Sequence, residues 1–176
     1  ATVVPFLFGK SGASATSPMQ LTWRALLSRT MPYPYFCVSF SILFVSASSY
    51  MGGVGYQLGT VSLAGMSVDV VGVYDRISAR SELTGTGDGR LFGAFEGEPY
   101  IIAEIDPSSA RILSQAPQDA VSYPPNSSNF AFAHWGGDFW LFVGPGTSTD
   151  VFRYDPETGT TKKVGRQPFA VVGAGV

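Results

Sequence analysis

The sequence predicts an all-β chain built from four-stranded antiparallel meanders, with one short helix near the N-terminus. Three observations carry this. Asp150–Gly165 reads as a hairpin, with β-branched and aromatic runs at Val151–Tyr154 and Thr160–Val164 around Asp155-Pro156-Glu157-Thr158-Gly159. Pro presets φ, Asp bonds the backbone ahead of it, and Gly takes φ > 0 without Cβ strain. A second Asp-Pro turn, Asp106-Pro107, lies 49 residues upstream, among strands in the same order. Charged residues are 14% of the 176, against a globular norm of about 25%, and 21 Gly and 12 Pro punctuate the chain. Short strands and tight turns fit that composition better than long charged helices.

The N-terminal arm, residues 1–30, holds a short strand over Thr2–Phe8, a small-residue linker over Gly9–Thr16 and a helix over Pro18–Ser28. Ser17 is the N-cap, Pro18 loses nothing by lacking an N–H there, and Met19, Trp23, Leu26 and Leu27 follow at helical spacing. Gly9-Lys10-Ser11 matches the end of a phosphate-binding loop, but Val4 stands where that loop needs glycine, so the motif is rejected. The start at Ala1 suggests a processed or trimmed chain, and Lys10 follows the apolar run Val3–Phe8, the reverse of signal-peptide order.

Residues 31–80 form an uncharged β-rich segment, a degenerate sheet unit or a cap; no charge falls between Met31 and Val68. Tyr35–Tyr50 could be weighed as a membrane span, but serines at 39, 41, 46, 48 and 49 interrupt it, and Val38, Phe40, Ile42 and Phe44 alternate as in a buried strand. Cys37 sits in this run as a small hydrophobe; a lone cysteine forms no internal disulfide and no thiolate metal site. After Gly52, Gly53 and Gly55 come strands at Gly55–Leu63 and Ser67–Tyr74.

The first clear unit, 81–115, has strands at Glu82–Thr86, Arg90–Phe95, Tyr100–Ile105 and Arg111–Ser114, with turns at Gly87-Asp88-Gly89 and Asp106–Ala110. The second, 130–165, has strands at Phe130–Trp135 and Phe139–Val143, a turn at Gly136-Gly137-Asp138, and the hairpin above. Asp88 aligns with Asp138, Leu91-Phe92 with Leu141-Phe142, and Ile105 with Tyr154. Phe169–Gly173 echoes Phe130–His134, so 166–176 is expected to supply the first strand of a further unit. A meander with two apolar faces buries both only between neighbours.

These residues resemble bacterial β-propeller proteins of the kelch type, over Ser81–Val176. The phrasing of Leu83–Phe95 and Asp150–Val164 is also similar to secreted or lipid-anchored envelope proteins of myxobacteria, in which a Tyr-Asp-Pro-x-Thr-Gly turn recurs blade after blade. The resemblance implies a partial β-propeller, an extracytoplasmic or secreted setting in the cell envelope, and loops on one face that bind a protein or a glycan. Gly136-Gly137 fits the double glycine of kelch blades, and Gly87-Asp88-Gly89 departs from it.

Candidate ligand-binding residues are Tyr123, His134, Trp135, Phe139 and Trp140, an aromatic group suited to a sugar ring or a peptide. Structural packing between sheets explains the same residues. His134, the only histidine, invites a catalytic or metal role through Asp138, but no second histidine and no Gly-x-Ser-x-Gly elbow is present. Asp88, Asp106, Asp138 and Asp155 sit at turns and read as turn-formers before calcium ligands. Asn126-Ser127-Ser128 fits a glycosylation sequon inside the polar connection Tyr123–Asn129. No catalytic residue, metal or cofactor is assigned. A net charge of −2, with 11 scattered Lys and Arg, gives no case for nucleic acid or an anionic membrane. The expectation is a non-catalytic binding module, with a lyase or glycosidase-like propeller enzyme or a membrane-associated structural protein as alternatives. An incomplete set of blades would also invite self-association.

Overall fold

The computed structural model describes residues 42–48, 55–123 and 129–175. The helix expected over Pro18–Ser28, the strand over Thr2–Phe8, Cys37, the sequon and most of Tyr35–Tyr50 lie outside them. The described residues belong to one compact unit and form three antiparallel sheets, an all-β fold of stacked meanders in the manner of propeller blades. Among them, no helix is long and apolar enough to cross a membrane.

The first sheet is β1 (Leu43–Ser48), β2 (Tyr56–Ser62) and β3 (Ser67–Val73), in that order. Among the described residues it has three strands, where the meander pattern has four. The second sheet is β4 (Ser81–Gly85), β5 (Leu91–Phe95), β6 (Tyr100–Ile105) and β7 (Ile112–Gln118). The third is β8 (Asn129–Trp135), β9 (Asp138–Gly144), β10 (Thr149–Asp155) and β11 (Thr160–Gln167). The last strand of each four-stranded sheet runs a few residues past its expected end.

The sheets stack face to face. Alternation along β5 and β6 splits the second sheet's side chains between two cores. Leu91, Phe95, Ala103 and Ile105 join Leu58, Tyr74 and Ile112 against the first sheet. Phe92, Ala94, Tyr100 and Ile102 join Phe130, Phe132, Phe139, Leu141, Val143 and Phe152 of the third. Each Leu, Ile, Val or Phe among them stabilises the fold by about 1.5–3 kcal/mol on burial. The starting strand of each sheet lies beside its neighbour: β1 against β4, where the Ser46 and Ser81 hydroxyls meet at 2.7 Å, and β4 against β8, where His134 N donates to Thr84 Oγ1 at 3.1 Å.

The turns explain the repeat. Asp106 accepts from Ser108 N at 2.8 Å, and Asp155 accepts from Glu157 N at 2.9 Å. Four residues on, the chain is left-handed in both, at Gly159 (φ 65°) and at Ala110 (φ 62°). Cross-strand pairing fixes the equivalence. Leu91 pairs with Ile105, and Phe139 pairs with Tyr154, so with Ile105 matched to Tyr154 the partner of Leu91 is Phe139. The expected match of Leu91-Phe92 to Leu141-Phe142 is therefore two residues out. It keeps the faces, because the pleat has period two, but not the layer. The slip comes from turn length: five residues separate Gly85 from Leu91, and only Gly136-Gly137 separate Trp135 from Asp138. Both glycines have positive φ, as a two-residue type I′ hairpin requires.

Among the described residues of 166–176, no strand of a further unit forms. Arg166 and Gln167 finish β11, and Pro168–Gly175 is irregular. Side chains hold that segment instead: Val171 N donates to Thr149 Oγ1 at 2.9 Å, and Thr149 Oγ1 donates to Phe169 O at 2.8 Å.

Candidate functional site

A groove of about 470 Å³ opens between the second and third sheets, at the end where their first hairpins turn. Strand alternation sends Phe92, Ile102 and Glu104 from one wall and His134, Phe139 and Tyr154 from the other toward it. The 86–90 turn roofs one side, with Asp88 and Arg90, and Gly137 and Pro156 the other.

Arg90 is the organising group. Its guanidinium makes two bonds to Glu104, Nε to Oε1 at 2.8 Å and Nη2 to Oε2 at 2.7 Å, and lies 4.9 Å over the Phe92 ring. That pair holds the Glu104 carboxyl below its usual range. Asp88 is also held low, first by the hydrogen bond from the Thr86 hydroxyl. Arg90 N in turn donates to Thr86 Oγ1 at 3.1 Å, so one threonine orders the turn and its carboxylate together. On the facing wall His134 packs 4.9 Å from Phe139, which also stacks on Phe132 and lies 6.2 Å from Tyr154. The site thus offers two carboxylates, a guanidinium, an imidazole and a phenol above an apolar floor.

The five residues singled out from sequence do not share one surface. His134 and Phe139 are brought together in the groove. Trp135 and Trp140 lie on the opposite face of the third sheet, where Trp140 Nε1 donates to the Trp135 carbonyl at 3.2 Å. Tyr123, beyond β7, donates to Asp150 Oδ2 at 2.7 Å. The aromatic platform is thereby split three ways, because successive residues of a strand face opposite sides of the sheet and Tyr123 lies outside the strands.

The His134–Asp138 pairing is not assembled either. His134 faces the second sheet, whereas Asp138 faces away and accepts from Arg153 Nε at 2.7 Å. Asp138 is a strand residue paired with Trp135, not a turn-former. Among the described residues no group of three His, Cys, Asp or Glu side chains could hold a metal ion. Arg90, Glu104 and Tyr154 were missed as site residues. The usable signal was positional: each lies next to a turn, on a β5, β6 or β10 face shared with buried aromatics.

A second polar cluster sits at the other end of β4. Arg80 clasps Glu96 with two hydrogen bonds, Nε to Oε2 at 2.8 Å and Nη2 to Oε1. Beside them Glu82 is buried, 8% exposed, and its carboxyl is pushed up to about 7, by burial first and by the charge of Glu96, with Arg80 opposing.

No protein-family model and no curated protein matches this chain. Among solved structures, it is similar in shape to a GH43 glycoside hydrolase engineered to display both endo-xylanase and exo-arabinofuranosidase activity, at a TM-score of 0.48 and 14% identity over 64% of this chain. The chain spans about a quarter (25%) of that structure's length.

Proposed function

We propose that this is a non-catalytic binding module and that its ligand seats in the groove between the second and third sheets. The observation that carries the reading is the convergence of Asp88, Arg90, Glu104, His134 and Tyr154 on one 470 Å³ space, a size ordinary for small-ligand sites. Arg90 and Glu104 offset each other's charge, so the site presents donors and acceptors in balance. That suits the hydroxyls of a glycan, which both donate and accept. A peptide segment is the other class the expectation named. The kelch-type relationship and the extracytoplasmic setting are supported by the sequence resemblance of the two Asp-Pro turn units.

The test is a glycan array followed by calorimetry on the hit. Arg90→Ala should abolish binding while moving stability by less than about 1 kcal/mol, because the Arg90 side chain is half exposed. Undiminished binding by that variant would overturn the groove as the site. A propeller-scaffold enzyme remains the second reading, favoured by Glu82 alone: a carboxyl titrating near 7 is suited to proton transfer. It requires glycoside turnover that Glu82→Gln removes with the fold intact.

A further inference from the structure

The groove between the second and third sheets carries an unbalanced charge. Its lining holds one cationic side chain, Arg90, and two carboxylates, Asp88 and Glu104. Arg90 spends Nε and Nη2 on Glu104, so that pair is closed within the second sheet. Asp88 is left over. Among the described residues no ion pair includes it, and the Arg90 charge reaches it only at longer range. With His134 neutral at pH 7, the groove has one positive charge against two negative ones.

The polar cluster at the other end of β4 shows what usually becomes of a surplus carboxylate. There Arg80 is committed to Glu96, and buried Glu82 is pushed up to about 7, toward holding its proton. Asp88 is placed differently. It is exposed, and Oδ1 accepts from the Thr86 hydroxyl, which fixes the carboxylate at the rim and keeps it ionised. Its charge is therefore available to a ligand. A neutral sugar satisfies the balanced Arg90–Glu104 pair but leaves Asp88 to water. A ring bearing an ammonium beside its hydroxyls engages both.

We propose that the groove selects glycans with free amines, glucosamine-type units, the hydroxyls meeting the Arg90–Glu104 pair and the ammonium meeting Asp88. This rests on the reading of the groove as a glycan site and names the class of glycan. A lysine side chain brings its ammonium on an apolar stem, without adjacent hydroxyls.

Calorimetry at pH 7 with equal-length oligomers of glucosamine and of N-acetylglucosamine tests it, since acetylation keeps the ring and removes the charge. The wild-type chain should bind the amine form about fivefold more tightly, the size that an exposed ion pair supplies. Added salt should shrink the ratio. Asp88→Asn should bring the ratio close to one, and Asp88→Glu should keep it. Equal binding of the two oligomers, still abolished by Arg90→Ala, would overturn the amine selection and leave the groove as the glycan site. A preference that survives Asp88→Asn would overturn it too. So would oligolysine displacing the glucosamine oligomer at equal affinity, because the charge alone would then be what is read. Binding of neither oligomer, beside a neutral glycan whose binding Arg90→Ala abolishes, overturns the amine and spares the groove. Absence of any glycan binding overturns both.

Discussion

The second and third sheets are copies that solve the same packing problem differently. In the second, Gly93 has no side chain and the ring of Phe95 fills its place: a Cβ on Gly93 would stand 2.8 Å from Phe95 Cε2 and 3.0 Å from Ile105 Cδ1. At the equivalent positions the third has Leu141 and Val143, both fully buried. Volume has moved along the strand rather than being lost. Polar groups have been exchanged as well. Glu82 of the second sheet stands where the third has Ala131, and Asp150 of the third stands where the second has Ile101. Asp150 accepts from Lys163 Nζ at 2.5 Å and from Tyr123 at 2.7 Å. Burial pushes its carboxyl up, but those bonds, with the charges of Lys163 and Arg166, outweigh it and hold it low. A repeat therefore conserves layer volume and backbone register, while individual side chains are free to differ.

The largest effect should come where the two copies meet. Phe139→Ala empties the ring that touches Phe92, Phe132 and Tyr154, and should cost about 3–5 kcal/mol in urea unfolding. Less than about 1 kcal/mol would show that the sheets do not share a core.

Next comes Glu82→Gln, which makes the second sheet more like the third. The folded carboxyl is raised from 4.5 to about 7, so the fold holds its proton more tightly than the unfolded chain. No penalty exists below about pH 4.5, it grows between there and 7, and it is full above 7. The variant should gain about 3 kcal/mol at pH 8 and nothing at pH 4. A pH-independent difference would sink this account.

Gly93→Ala should then cost about 1–3 kcal/mol by overpacking. Adding Phe95→Leu should recover part of that, a coupling readable in a double-mutant cycle. The smallest contrast lies in the turns. Gly159→Ala should lose about 1 kcal/mol at positive φ, whereas Ala110→Gly should change little, because relief of the same strain is offset by a lost buried methyl.

Much of this architecture was legible. Tyr100–Ile105 forms the strand its pattern announced, and the Asp155 turn bonds its own backbone and takes a left-handed glycine as its chemistry requires. Strand ends and the alignment of the copies were less so, because unequal first turns shift the register by an amount that composition does not reveal. The site was the least legible. Aromatic residues close in sequence looked like one platform, yet Trp135 and His134 are neighbours that face opposite sides. The groove instead takes Arg90 and Glu104, fourteen residues apart and paired only once β5 and β6 are laid side by side.

The bulges have a consequence of their own. Each sheet breaks step at its outermost pair, between Leu58 and Gly59, Glu104 and Ile105, and Val151 and Phe152. Where the last strand gains a residue in the two four-stranded sheets, Leu113 and Val164 are left unpaired and turned to water. The rims are further blunted by Pro117 on β7 and by Lys162, Lys163 and Arg166 on β11. Such edges make poor templates for a foreign strand. The sheets of this molecule are thereby guarded against widening into a ribbon.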